Sequence, residues 1–187
     1  MALKEIKMPL IGIIAKKKDV QAIKNKLLFE NYEIIEINEQ SIRNFKNIQF
    51  DEIVFLKDIN LQEEEYIFMK NIISKVQYLI MNADVNIEIF NKIEIVKPIK
   101  LITFGFNSKA TITISSIKEE KIIICLQRNI QKSDNEIIES QEKEMEINKK
   151  SDKKIYNELA VFIIKELHNL PKNHKKTHKI GKKNEKI

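Results

Sequence analysis

The feature that most constrains the fold is a stretch in the middle of the chain where two apolar runs each end in a polar turn. The first run, YLIM, leads into Asn82-Ala83-Asp84, and the second, KLITF, leads into Gly105-Phe106-Asn107-Ser108. In parallel α/β sheets the buried strands read as continuous apolar runs, and ligands bind beyond their carboxyl ends. The stretch therefore predicts two buried strands whose polar loops lie side by side at one edge of such a sheet.

Apolar runs and segments of helical spacing alternate along the first part of the chain. Strands are predicted at residues 10–14, 32–37, 52–56, 78–81 and 100–104. Helices are predicted at residues 17–29, 40–45 and 63–73, with a brief helix or turn at 87–90. This alternation is typical of βαβ units, whose right-handed crossovers produce a parallel sheet.

After residue 105 the spacing changes to that of hairpins. Strands are predicted at residues 110–114, 120–128 and 143–147, and an amphipathic helix at 152–170, where Pro171 ends it. The predicted fold class is a three-layer, Rossmann-like α/β domain over residues 1–170. Its sheet is mainly parallel with an antiparallel edge, and a long helix ends the domain.

The positive charge of the chain is concentrated at its C-terminal end. The chain has 33 Lys and Arg against 27 Asp and Glu, and residues 172–187 contain seven Lys and one Glu, which leaves 26 against 26 elsewhere. This segment is of low complexity and too polar to fold alone, so a basic disordered tail is predicted at 171–187. Its lysines favour one alternative function, the salt-dependent binding of nucleic acid or another anionic surface.

Cysteine usage and hydropathy bound the compartment. The single cysteine, Cys125, excludes an intrachain disulfide and fits a reducing compartment. It lies in the apolar run KIIICL, so we expect an inert, buried thiol. The N-terminus lacks a secretory-signal pattern, and no apolar run approaches the roughly 18–20 residues that span a bilayer. We therefore expect a cytoplasmic protein without a membrane span.

The pattern LIMNAD, followed after residues 85–100 by LITFG, resembles the late part of the central domain of the Mur ligases. These bacterial enzymes use ATP to join amino acids to the nucleotide-linked muramic acid precursor of the cell wall. The order of predicted elements agrees with that domain over about residues 9–130. The matching positions are Asn82, Ala83, Asp84, Thr103, Phe104 and Gly105.

The residues that carry catalysis in that family have no equivalents here. In the ligases the first strand runs into a glycine-rich loop ending in Gly-Lys-Thr/Ser, whereas this chain reads LIGIIAKKKDVQAI, with Lys16–Lys18 in the turn. Loop glycines let several backbone N–H groups converge on one phosphate. The turn after the third strand offers Asp58 but no histidine, and one carboxylate is a poor magnesium site. No domain for binding the incoming amino acid is expected after residue 130. We therefore expect no ligase activity, no metal site and no resident cofactor.

The resemblance implies a remnant ligand face at the ends of the two central strands. Its members are Asn82, Asp84, Thr103, Gly105, Asn107, Ser108 and Lys109. The predicted function is a non-catalytic binding or regulatory module of the bacterial cytoplasm, linked to cell-wall precursor metabolism, with a nucleotide or nucleotide-sugar as ligand. Two alternatives stay open. Asn82 and Asp84 also suit a purely structural turn, and an enzyme of another type would have only Asp58, Asp84 and Lys109 as acid or base candidates, since no histidine is expected near them.

Overall fold

A computed structural model describes residues 8–28, 30–95, 97–118, 120–147 and 152–168. The main strands are β1 (Leu10–Ile14), β2 (Glu33–Glu36), β3 (Glu52–Phe55), β4 (Tyr78–Asn82), β5 (Lys100–Gly105), β6 (Ile112–Ile117), β7 (Lys121–Leu126) and β10 (Gln141–Glu146). The short strands β8 (Ile130–Gln131) and β9 (Ile137–Ile138) form a hairpin of their own. The helices are α1 (Lys17–Leu27), α2 (Glu65–Ile73) and α3 (Asp152–Leu167), with single 3₁₀ turns at Ile42–Phe45 and Glu88–Asn91.

The eight main strands form one mixed sheet in the order β10-β7-β6-β5-β4-β3-β1-β2. Neighbouring strands from β2 to β6 are parallel, while β7 runs antiparallel to both β6 and β10. The predicted mainly parallel sheet with an antiparallel edge is confirmed. The edge strand β10 is largely charged and exposed, a composition that discourages edge-to-edge association.

Apolar side chains on the two faces of the sheet form two separate cores. Helices α1 and α3 cover one face, where Val20, Ile23 and Leu27 of α1 repeat at helical spacing against Ile11 and Ile13. Helix α2 and both 3₁₀ turns cover the other face. Each fully buried Ile or Leu contributes roughly 1.5–3 kcal/mol, so these alternating patterns determine the three-layer arrangement.

Glycine at position 12 lets side chains on the α2 face of the sheet pack closely against β1. A Cβ atom there would lie 2.5 Å from Ile37 Cδ1 and 2.6 Å from Ile53 Cδ1. Gly12 therefore serves the close packing of β1 against its neighbours inside the sheet.

The pairing of β5 with β6 is strongly staggered. Only Phe104↔Ile112 and Gly105↔Thr113 are in register, so β6 begins where β5 ends. Two threonines close the intervening loop: Thr111 N–H donates to Thr103 Oγ1 at 2.9 Å, and Thr103 N–H donates to Thr111 Oγ1 at 3.2 Å. The first half of β5 consequently has a strand on its β4 side only.

The structure corrects several predicted details. The C-terminal helix is shorter than predicted and ends at Leu167, because the N–H and hydroxyl of Ser133 both donate to the Leu167 carbonyl. The strand predicted at 110–114 begins at Ile112 instead, and Thr111, which precedes it, is only 6% exposed. The β8–β9 hairpin was not predicted, since its strands have two residues each.

Two further expectations concern the basic tail and membrane spans. The predicted basic tail at 171–187 lies outside the described residues. Within the described part of the chain, no helix is both long and apolar enough to cross a bilayer.

Substitution of Ile124 by Asp tests the packing of the antiparallel edge. Ile124 is fully buried in β7 beneath α3, so Ile124→Asp would bury an unpaired carboxylate. We expect a loss of about 4–5 kcal/mol or more, comparable to the whole stability of many domains. Circular dichroism should show an unfolded chain at room temperature. Ile117→Asp, at a site 51% exposed in β6, is the control and should melt close to the wild type. Equal melting of the two variants would contradict the assignment of β7 to the core.

Candidate functional site

Residues that follow three parallel strands line a pocket at the carboxyl edge of the sheet. Its volume is about 170 Å³, and the first turns of α3 form one of its walls. We call it the carboxyl-edge pocket, and its lining residues are Lys16, Asp19, Leu56, Lys57, Asn82, Val85, Tyr156 and Asn157. Parallel α/β sheets commonly bind ligands at this edge.

Two buried amides offer groups to this pocket that the described protein does not use. Asn82 is 2% exposed, and its Oδ1 accepts the N–H of Asp84 at 3.0 Å, which leaves its Nδ2 as a free donor. Asn157 is 5% exposed, and its Nδ2 donates to Asp19 Oδ1 at 3.2 Å, which leaves its Oδ1 as a free acceptor. Neither of these two atoms belongs to the fully buried unpaired side-chain atoms, so both are accessible from the pocket, where a ligand that bonds them takes the place of water.

The charges around the pocket favour an anion. Lys16 precedes α1, whose first turn has no side-chain cap, so backbone N–H groups and the helix dipole point toward the same edge. Lys57 follows β3 and lies 3.5 Å from Glu39, with a third of its side chain exposed. Among the described residues that line the pocket, Asp19 is the only acidic one, and its hydrogen bond to Asn157 partly occupies it.

Asp84 joins three elements and is fully engaged in doing so. Its Oδ2 accepts the Phe106 N–H at 2.6 Å and the Tyr156 hydroxyl at 3.0 Å, and its Oδ1 accepts the Asn107 N–H at 2.8 Å. Gly105 adopts φ +144°, and a Cβ there would collide with the Asp84 carboxylate. Glycine is therefore needed at position 105 both for its backbone conformation and for this close approach.

The predicted ligand face divides into two parts in the structure. Asn82 lines the carboxyl-edge pocket. Asp84 lies beside the pocket and is hydrogen-bonded to the loop after β5, which contains Asn107 and begins at Gly105. The Thr103 hydroxyl forms a hydrogen bond with the Thr111 hydroxyl. Ser108 and Lys109 are exposed at the loop surface, where the Ser108 carbonyl accepts the Gln127 side chain and the Lys109 N–H donates to Asn107.

Sequence reasoning missed the contribution of α3 to this site. Tyr156 and Asn157 come from a helix that was predicted as amphipathic without a functional role, and Lys57 lies in the turn that was judged a poor magnesium site. The one available signal was the pair of polar residues, Tyr156 and Asn157, between the apolar positions Ile155 and Leu159. Among the described residues, no three His, Cys, Asp or Glu side chains cluster closely enough to hold a metal ion.

A second polar cluster lies at the opposite, amino edge of the sheet. His168 Nε2 is 2.6 Å from Oε1 of Glu52, a fully buried residue at the start of β3. Burial raises the pKa of Glu52 although the hydrogen bond from His168 opposes that shift. Burial also raises the pKa of Tyr78 to about 12, with Glu52 and Asp134 adding to the effect. His168 lies in the helix predicted at 152–170, but its contact with Glu52 was not predicted.

Ser133, His168 and Glu52 resemble a nucleophile, base and orienting acid, but their hydrogen bonds argue against that role. The Ser133 hydroxyl donates to the Leu167 carbonyl at 2.9 Å, so its oxygen accepts from His168 Nδ1, 3.3 Å away. A base must accept the serine proton through that nitrogen. This arrangement makes the cluster a cap for the end of α3.

Comparison of the sequence with models of known protein families and with curated proteins returns no match. The chemistry of the pocket therefore rests on its own residues.

Removal of the Asp84 carboxylate should loosen the contact between α3 and the loop after β5. Asp84→Ala deletes three hydrogen bonds, and we expect a loss of about 2 kcal/mol in the free energy of unfolding. Tyr156→Phe deletes only one of them and should cost about 1 kcal/mol. Urea unfolding of both variants and of the double variant measures the coupling. Additive losses would show that Tyr156 and Asp84 do not interact.

The buried Glu52 predicts a definite pH dependence of stability. Because its pKa is raised above the ordinary value of 4.5 in the folded protein, its contribution is fully present below that value and is lost as pH rises through the raised pKa. The wild type should therefore lose stability relative to Glu52→Gln as pH rises from about 4 to about 8. Thermal melts across this range measure the difference. Glu33→Gln, at an exposed site in β2, is the control. A gap between Glu52→Gln and the wild type that stays constant or closes with rising pH would contradict the prediction.

Proposed function

We propose that this protein is a non-catalytic ligand-binding or regulatory module that recognises an anionic small molecule in the carboxyl-edge pocket. The observation that carries the proposal is the pair of buried amides, Asn82 and Asn157, each with an unused polar group on the pocket wall. A small number of polar groups that converge on a concave site is typical of small-molecule pockets, so this pair supports a ligand partner.

The groups around the pocket define the chemistry of that ligand. Lys16 and Lys57 supply positive charge, the start of α1 supplies backbone N–H groups, and Asn82 Nδ2 supplies a directed donor. Together they suit a phosphate or carboxylate. Asn157 Oδ1 adds an acceptor, which suits a hydroxyl or amide on the same molecule.

A nucleotide or nucleotide-sugar combines these groups. The volume of about 170 Å³ is below the roughly 300–1,000 Å³ of pockets that enclose drug-sized ligands, so only part of such a molecule would be enclosed. The turns Asn82-Ala83-Asp84 and Thr103-Phe104-Gly105, which resemble those of the Mur ligases, support a ligand from bacterial cell-wall precursor metabolism.

Phosphoryl transfer is not expected at this site. It depends on converging N–H groups and metal ions that position the phosphates and neutralise their charge. Lys16–Lys18 supply point charges in a turn without loop glycines, and Asp58 is not among the residues that line the pocket. The protein would therefore bind its ligand and leave it unchanged.

A thermal-shift titration with ATP and with a UDP-sugar tests the proposal. At a hundred times the dissociation constant a ligand stabilises by about 2.7 kcal/mol, which corresponds to several degrees for a domain of this size. We expect such a shift with no release of phosphate. No shift with either compound at millimolar concentration would refute the proposed ligand class.

A near-isosteric variant identifies the pocket as the source of the shift. Asn82→Asp keeps the oxygen that accepts the Asp84 N–H but replaces the free donor by an acceptor and adds a negative charge. We expect it to weaken binding at least about tenfold. Asn91→Asp makes the same chemical change at an exposed position and should bind like the wild type. Equal binding by both variants would exclude the carboxyl-edge pocket.

A further inference from the structure

The stagger between β5 and β6 opens a second cavity, far from the carboxyl-edge pocket along the strands. The chain after β7 passes opposite the first half of β5, where Gln127 N–H donates to the Thr111 carbonyl at 2.9 Å and the Tyr78 hydroxyl donates to the Gln131 carbonyl at 2.8 Å. Between this segment and β5 lies a cavity of about 240 Å³. We call it the notch, and Lys100, Leu101, Arg128 and Asn129 are among its lining residues.

The notch exposes a short piece of open strand edge. The Lys100 N–H donates to Gln77 and the Phe104 carbonyl accepts from Ala83, so the even-numbered residues of β5 bond toward β4. Leu101 and Thr103 therefore direct their backbone groups toward the other side. Thr111 satisfies the N–H of Thr103, and within the described residues no strand or side chain bonds the N–H and carbonyl of Leu101.

Cations and donors surround this open edge without acidic partners. The Lys100 Nζ lies 5.2 Å from the centre of the Tyr78 ring, and Arg128 is exposed and makes no ion pair with any residue that the structure describes. Asn129 Oδ1 accepts the Ser140 N–H at 2.9 Å, which leaves its Nδ2 as a donor. None of the described residues that line the notch is acidic.

We propose that the notch binds the free carboxylate end of an N-acylated amino acid or short peptide. The ligand's amide N–H donates to the Leu101 carbonyl, and one oxygen of its terminal carboxylate accepts the Leu101 N–H, which extends the sheet by one residue. Its carboxylate lies between Arg128 and Lys100, and Arg in particular binds carboxylates in a bidentate manner.

The open edge favours this class over a simple phosphate. Leu101 presents a donor and an acceptor together, and an amino-acid residue with an amide N–H and a carboxylate oxygen complements both, whereas a phosphate dianion would face the Leu101 carbonyl oxygen unfavourably. The volume of about 240 Å³ is smaller than that of pockets for drug-sized ligands, which limits the enclosed part to one or two residues.

Amide-proton NMR titrations of the full chain test the proposal with three probes. N-acetylglycine carries both the amide and the carboxylate, N-acetylglycinamide lacks the carboxylate, and inorganic phosphate lacks the amide. We expect N-acetylglycine to shift the resonances of Leu101 and of residues 128–131 in a saturable manner, with the other two probes at least about tenfold weaker. Equal or tighter binding of phosphate, or the absence of saturable shifts at these residues with N-acetylglycine, would overturn the proposal.

Charge-neutralising variants locate the carboxylate. Arg128→Gln removes a side chain without a described partner, so its melting temperature should be unchanged while its affinity for N-acetylglycine falls at least about tenfold. Lys46→Gln, at an exposed position after the first 3₁₀ turn, is the matched control and should retain full affinity. Unchanged affinity in Arg128→Gln, or the same loss in Lys46→Gln, would show that the notch does not hold the carboxylate.

Discussion

Helix α3 is held at both ends by polar contacts with opposite edges of the sheet, and the carboxyl-edge pocket depends on that arrangement. At its start the Tyr156 hydroxyl bonds Asp84 beyond the carboxyl end of β4. At its end His168 bonds Glu52 at the start of β3. A 16-residue helix spans about 24 Å, enough to cross the strands from edge to edge. The apolar residues between these contacts fill the larger core, so the polar contacts determine where along the sheet that apolar surface packs.

The two contacts differ in energetic character. Asp84 is an exposed carboxylate with three donors, so its desolvation cost is small and its hydrogen bonds stabilise the loop directly. Glu52 is fully buried, and its Oε2 has no hydrogen-bond partner among the residues that the structure describes. Burying such a group costs free energy that one short contact with His168 offsets only in part. The contact at the amino edge therefore contributes more to the position of the helix end, together with the cap from Ser133, than to net stability.

The parts of the fold that were predictable from the sequence are those whose cause is local. Apolar runs such as YLIM predicted the strands, and the spacing of Val20, Ile23 and Leu27 predicted a helix. Both predictions hold because the spacing of buried apolar residues along the sequence differs between strands and helices. Hydrogen bonds between Thr103 and Thr111 accompany the stagger of β6, and secondary-structure propensities give no information about such contacts. Two contacts, Asp84–Tyr156 and Glu52–His168, join residues that are 72 and 116 positions apart, and no local sequence pattern predicts such pairs.

The internal role of Asp84 changes which residue can recognise a ligand at the carboxyl edge. A ligand that took the Asp84 carboxylate would have to replace bonds from Phe106, Asn107 and Tyr156, each worth about 0.5–1.5 kcal/mol or more. Asn82 faces no such competition. Its side-chain oxygen accepts the hydrogen bond of the turn, and its side-chain nitrogen donates to none of the described residues. The same Asn-x-Asp turn thus supplies a structural carboxylate and a free amide donor. Recognition at this edge falls to Asn82 with Asn157 and the nearby lysines, while Asp84 holds in place the helix that carries Asn157.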